Sequence, residues 1–168
     1  MSVRDASAGS RPIIVGGGTP GYTVAMETAG LYREAVVAHN RAPRHFGSLP
    51  GATHAGCGAN PACGDDLAVR LRVEDGRIAG LAFEGEACAV AIAAASMLGD
   101  ALIGAELRRV AVLRAAFARL LQGGVDDPLL GELQALAGLG AHPARQRCAW
   151  LSFEAVEAAL AVDPGAAR

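Results

Sequence analysis

The sequence predicts an α+β domain, a small three-stranded antiparallel sheet with helices packed over one face. Three observations carry this. The run DLAVRLRVE alternates strictly, with Leu67, Val69, Leu71 and Val73 on one face and Arg70, Arg72 and Glu74 on the other, the pattern of a half-buried strand. Asp75-Gly76 follows, two residues that tolerate the positive φ of a type I′ turn, and RIAGLAFE returns as the hairpin partner. After Gly85 the apolar spacing turns helical almost to the end, so strands precede helices along the chain.

Residues 1–26 are rich in Gly, Ser and Pro without apolar periodicity and read as a flexible N-terminal extension; the domain is expected at 27–163, with a disordered tail at 164–168. GGGTPG is not a phosphate loop, because no Gly-Lys-Ser/Thr follows it. A first helix is predicted from about Thr28 to His39, with Leu31, Ala35 and Val36 on one face and Pro43 and Gly47 ending the segment. SLPGATHAGCGAN is Gly-rich and suggests a short irregular edge strand carrying Cys57. In the third strand Ile78 and the Leu81/Phe83 pair fall on opposite parities, which calls for a β-bulge. Helices are then predicted over AVAIAAASMLGDALI, over AELRRVAVLRAAFARLLQ, over DPLLGELQALAGL with Asp127 as N-cap and Pro128 at its first position, and from about Ala144 to Val162.

Composition narrows the function. With 168 residues and 52% of them hydrophobic, one domain with a substantial core is expected. A net charge of -2 argues against a nucleic-acid partner, since such surfaces need a basic excess. All 15 basic residues are arginines, which excludes a P-loop lysine, a Schiff-base lysine and a lysine general base. The longest apolar stretch, Ala87 to Leu98, is too short to span a bilayer, so no membrane role is expected. The N-terminus lacks the basic start and apolar run of a secretory signal, and a cytoplasmic location follows. In that compartment four cysteines read as metal ligands or reactive thiols before they read as disulfides.

The chemistry-bearing stretch is NPACGDD. Cys63 and Asp65 are two apart at a strand entrance, where extended chain points both to the same side. Cys88 sits where a helix begins, and free N–H groups there favour a thiolate. Cys148, near the start of the last helix, would complete a three-thiolate, one-carboxylate set suited to zinc or an iron–sulfur cluster. No C-x-x-C occurs, and on spacing alone Cys88 and Cys148 read equally well as core side chains. Trp150 reads as core, and His39, His45, His54 and His142 as surface residues rather than ligands.

NPACGD, FEGEACAVAIAAASML and PARQRCAWLSFEAVEAAL, with LYREAVVAHNRAPRHFG ahead of them, resemble the IscU/SufU/NifU N-terminal family of iron–sulfur cluster assembly proteins from about Leu31 to Leu160. The resemblance implies a SufE/IscU-like fold and metal ligands at Cys63, Asp65, Cys88 and Cys148. It implies zinc or an iron–sulfur cluster, the 2Fe–2S form first, as the cofactor. Cys63 would be the persulfide acceptor for a SufS-like cysteine desulfurase, and apo-proteins or a carrier would receive the cluster. The additional DDPLLGELQALAGLG between Cys88 and Cys148 resembles the SufU branch. Arg147 stands where IscU proteins have a histidine, and AHPAR where they have the Leu-Pro-Pro-Val-Lys chaperone motif. Arg145, three residues before Cys148, resembles the SufU-branch arginine, a fixed charge that would support thiolates. The competing class is an interaction module with a purely structural zinc; Asp65 argues against it, because structural sites favour four Cys or His ligands. Cys57 lies outside the family pattern, and is either an idle edge-strand residue or a resolving thiol for Cys63, with Gly58 and Pro61 as hinges.

Overall fold

The computed structural model describes residues 34–161; the expected extension at 1–26, the start of the first helix and the tail at 164–168 lie outside the described residues. Residues 34–41 are helical and form the described part of α1. Three strands follow, β1 (His54–Asn60), β2 (Asp65–Glu74) and β3 (Arg77–Glu84), in spatial order β1-β2-β3 with both pairs antiparallel. The chain continues with α2 (Ala89–Leu102), α3 (Arg109–Leu121), a 3-10 segment (Pro128–Ala141) and α4 (Pro143–Ala161).

The β2–β3 hairpin follows the alternation closely. Asp75 (φ 49°) and Gly76 (φ 73°) make a two-residue turn, its flanks Glu74 and Arg77 paired. The register shifts between Arg72 and Val73, so that Arg72 faces Gly80 while Val73 faces Ile78. Ala79 is therefore the extra, bulged residue, and the bulge returns Ile78 to the face of Leu81 and Phe83. Those three side chains and Leu67, Val69 and Leu71 are at most 4% exposed and form the inward face of the sheet. Each such burial contributes roughly 1.5–3 kcal/mol.

Helices α2 and α4 cover that face. Ala91, Ala93, Ala94 and Ala95 on α2 and Ala149, Ser152, Ala155 and Ala159 on α4 are buried, and their small size lets the two helices and the sheet pack closely. β1 is a regular strand rather than an irregular one. Its alternation is hidden because the inward residues are glycines: a Cβ on Gly56 would lie 2.1 Å from the Ala159 backbone nitrogen of α4. Residues 143–145 already belong to α4, one residue earlier than the spacing predicts. α3 begins later than expected, at Arg109, because Glu106 instead bridges to Arg77 at the hairpin end. The aromatic cluster of Phe117, Trp150 and Phe153 joins α3 to α4, in keeping with Trp150 as a core residue.

Asp127 caps the segment after α3 as expected, accepting from the Leu129 N–H at 3.0 Å. The segment winds as 3-10 turns, and Gly131 (φ 52°, ψ -128°) breaks it. His39 corrects a second expectation. It is 2% exposed, with Nδ1 2.7 Å from Ser96 Oγ on α2 and Nε2 2.9 Å from Glu132 Oε2 on the 3-10 segment. With the ring proton on Nε2, Glu132 accepts it, the Ser96 hydroxyl donates to Nδ1, and Ser96 accepts the Arg44 backbone N–H at 2.8 Å. α1, α2 and the 3-10 segment are thus held together by one matched chain of hydrogen bonds.

Candidate metal centre

The β1–β2 turn sets the first two groups. Asn60 pairs with Asp65 across the strands, leaving Pro61 to Gly64 as the loop. The Cys63 N–H donates to the Asn60 carbonyl at 3.0 Å, and Gly64 takes the left-handed conformation (φ 70°) that turns the chain into β2. Cys63 is thereby left exposed at the turn while Asp65, the first residue of β2, is 3% exposed and faces inward.

The third group arrives through Gly85. A Cβ there would meet the Asp66 carbonyl oxygen at 2.1 Å, so only glycine lets the chain after β3 run back along β2, where the Asp66 N–H donates to the Glu86 carbonyl at 2.9 Å. Cys88 then becomes the N-cap of α2, and its backbone N–H donates to Asp65 Oδ1 at 2.8 Å. The carboxylate satisfies one of the free N–H groups at the helix start. Cys148 enters from the second turn of α4, 3% exposed.

One ligand atom each from Cys63, Asp65 and Cys148 lies within 4.8 Å of the others, and the Cys148 and Cys63 sulfurs are 3.5 Å apart. Cys88 and Arg145 line the same cavity of about 320 Å³ with Cys63 and Cys148. Burial pushes the Cys148 thiol far above the ordinary thiol range, and its neighbours Asp65, Cys63 and Cys88 push it further. Asp65 Oδ2 is buried with no hydrogen-bond partner. An orphaned carboxylate oxygen costs roughly 1–3 kcal/mol or more unless a cation meets it. The Cys63 and Cys148 sulfurs and the Asp65 oxygen lie together, and the Cys88 sulfur, outside that close group, lines the same cavity; these donor types are those of zinc and of cluster iron, so the residues present fit such a group.

Cys57 stands apart. It pairs with Ala68 in the middle of the β1–β2 ladder, and its exposed side chain alternates with the inward residues Gly58 and Asn60. Gly58 is a strand residue, not a hinge. Among the histidines, His45 bonds Asp100 at 2.8 Å, His54 contacts Thr53, and none lines the cysteine cavity. His39, Asp100 and Glu132 form a second group of mutually close ligand atoms, but the Arg44 guanidinium already bonds both carboxylates. Sequence reasoning passes over Asn60, which is 2% exposed and donates from Nδ2 to the Cys148 sulfur at 3.5 Å. Its sequence signal is its place at the head of NPACGD, where the sequence alone gives it no role of its own.

The fold and the cysteine–carboxylate cluster define a class that comparison with known proteins makes explicit. The family model of the NifU-like N-terminal domain matches residues 31–162, and the chain belongs to that family. It is 33% identical over 137 residues to the zinc-dependent sulfurtransferase SufU of Bacillus subtilis (strain 168), covering 80% of this chain and 92% of that protein. It is 32% identical over 133 residues to the iron–sulfur cluster assembly scaffold protein IscU of Streptococcus pyogenes serotype M1, covering 77% and 82%. Among solved structures, a hypothetical protein superposes with a TM-score of 0.72 at 32% identity, covering 78% of this chain and 97% of that one. The N-terminal part of a nitrogen-fixing NifU-like protein from Brucella abortus gives 0.71 at 22%, covering 80% and 94%, which shows the shared fold.

Proposed function

We propose that this chain is an iron–sulfur cluster assembly protein that accepts sulfur from a cysteine desulfurase at a Cys63–Asp65–Cys88–Cys148 metal site. The observation that carries the reading is the buried, unpartnered Oδ2 of Asp65, on a carboxylate with an oxygen within 4.8 Å of two cysteine sulfurs. Membership of the NifU-like N-terminal family supports the pathway, and the likeness to a zinc-dependent sulfurtransferase supports zinc as the resident ion. A bound zinc would keep the thiolates deprotonated at neutral pH and release one by ligand exchange.

The chain's own residues divide the work by exposure. Cys63, exposed at the turn, is the sulfur a partner can reach, whereas Cys148 is buried. The Cys63 thiolate attacks the terminal sulfur of the donor persulfide; the donor S–S bond breaks, the donor cysteine leaves as thiolate, and Cys63 carries the persulfide. Asp65, a hard ligand among soft ones, would hold the ion more weakly than a fourth thiolate and make the site exchangeable. Arg145, on the cavity wall, supplies a fixed positive charge beside sulfur anions. A purely structural zinc would not call for an exposed thiol and a carboxylate among its ligands.

The test is stimulation of a SufS-like cysteine desulfurase. Zinc-loaded wild type is expected to accelerate turnover, and Cys63→Ser, whose serine cannot hold a persulfide, is expected to abolish that acceleration. Undiminished stimulation by Cys63→Ser removes Cys63 as acceptor.

A further inference from the structure

Two buried polar atoms at the floor of the site lack partners, and only one of them is accounted for. Asp65 Oδ2 would be met by the ion the donor set fits. Asn60 Oδ1 is also buried and unpartnered, and a bound ion would not need it, since three thiolates and one carboxylate would fill a four-ligand set. Such an atom costs roughly 1–3 kcal/mol, and an apolar side chain of similar volume would avoid that cost. A fold that retains the amide gains something from its other end.

That other end is Nδ2, which donates to the Cys148 sulfur at 3.5 Å. The amide is held in place from both directions along the chain. Asn60 pairs with Asp65 across the ladder, its own carbonyl accepts the Cys63 N–H at 3.0 Å, and the preceding Gly58 packs against Leu151 of α4. One residue therefore touches two of the cysteines, Cys63 at its main-chain N–H and Cys148 at its sulfur. Once the Cys148 sulfur is a metal-bound thiolate it has no proton to give, so the N–H must be the group that faces it.

We propose that Asn60 is a positioning residue of the metal site, its carbonyl fixing the Cys63 turn and its side-chain N–H holding and partly neutralising the Cys148 sulfur. An N–H···S bond fixes where the sulfur lone pairs point and draws charge from it, as hydrogen bonds to coordinating groups do in other metal sites. The inference rests on the metal-site reading above.

The experiment compares wild type, Asn60→Leu and Cys148→Ser, each loaded with zinc in competition with a chromophoric chelator and separately with cobalt(II), whose thiolate charge-transfer bands report electron donation by sulfur. Asn60→Leu is expected to melt at or above the metal-free wild-type temperature, to bind zinc about 10–100-fold more weakly, and to shift the cobalt–thiolate band to lower energy. Asn60→Ala, smaller than the native side chain, carries the same comparison if leucine is not accommodated. A merely structural asparagine would lower the melting temperature and leave affinity and band position unchanged, and that result overturns the proposal. If Cys148→Ser also binds zinc with wild-type affinity, the failure lies in the metal-site reading itself and not in the role of Asn60.

Discussion

Asp65 has two oxygens with different duties, and they can be separated. Oδ1 accepts the Cys88 N–H at the start of α2, while Oδ2 has no protein partner. Asp65→Ala is expected to lose about 1 kcal/mol of metal-free stability, the usual worth of a helix-start acceptor, whereas Asp65→Asn keeps most of it. Both should change metal release, and Asp65→Ala should lengthen the life of a reconstituted cluster, because the weak hard ligand sets lability. Denaturant melts and the decay of cluster absorbance measure the two effects. Cys148 supplies a pH signature. Its folded thiol lies above the ordinary value of 9.0, so above about pH 9 the unfolded chain releases a proton that the folded chain keeps, and metal-free stability falls as pH rises. The limiting slope is about 1.4 kcal/mol per pH unit for one proton. Thermal melts of metal-free protein between pH 8 and 11 should show this fall, and zinc-loaded protein, whose sulfur is already deprotonated, should not show it from this group.

Between elements, two contacts decide the fold around the site. α4 lies on β1 so closely that a Cβ at Gly56 would sit 2.1 Å from one backbone atom and 2.5 Å from another. Gly56→Ala should therefore cost about 3 kcal/mol and move Cys148 away from the turn, read as weaker zinc binding together with a lower denaturation midpoint. On the other side, His39 joins Ser96 to Glu132, and His39→Leu should cost roughly 1–3 kcal/mol while leaving zinc affinity intact, since none of these residues lines the cavity. These same contacts mark what the sequence could and could not disclose. The hairpin was legible because Leu67, Val69, Leu71 and Val73 announce their face, and because Asp75-Gly76 has one efficient conformation. The edge strand carrying Cys57 was expected too, but its regularity was hidden, because its inward residues Gly56 and Gly58 carry no hydrophobic signal and owe their identity to a helix near the far end of the chain. The burial of His39 was likewise invisible, since its partners lie 57 and 93 positions away. The 3-10 winding of Pro128–Ala141 escaped a helical reading because Leu130, Leu133 and Leu136 fit either pitch, and Gly131 breaks it only in three dimensions.

Across the whole molecule, the proposed ligands come from the β1–β2 turn, the start of α2 and the second turn of α4, so a bound ion would tie the first hairpin to the last helix. Cys63 and Asp65 could be read from their spacing, but that they meet Cys148 rather than Cys57 is a property of the packed chain. Zinc should therefore stabilise the fold, by about 2.7 kcal/mol at a free concentration one hundred times its Kd, and Cys148→Ser should abolish that gain in a thermal melt. A chain beginning at Met26 should melt at the full-length temperature, since the family match spans residues 31–162. No helix among the described residues is long and apolar enough to cross a membrane. The central claim, a labile site of three thiolates and one carboxylate, is tested most directly by X-ray absorption at the zinc edge of the loaded protein. The result expected is three sulfurs at about 2.3 Å and one oxygen at about 2.0–2.2 Å, with the carboxylate oxygen lost in Asp65→Ala; a shell with fewer than three sulfurs, or one unchanged by Asp65→Ala, would contradict it.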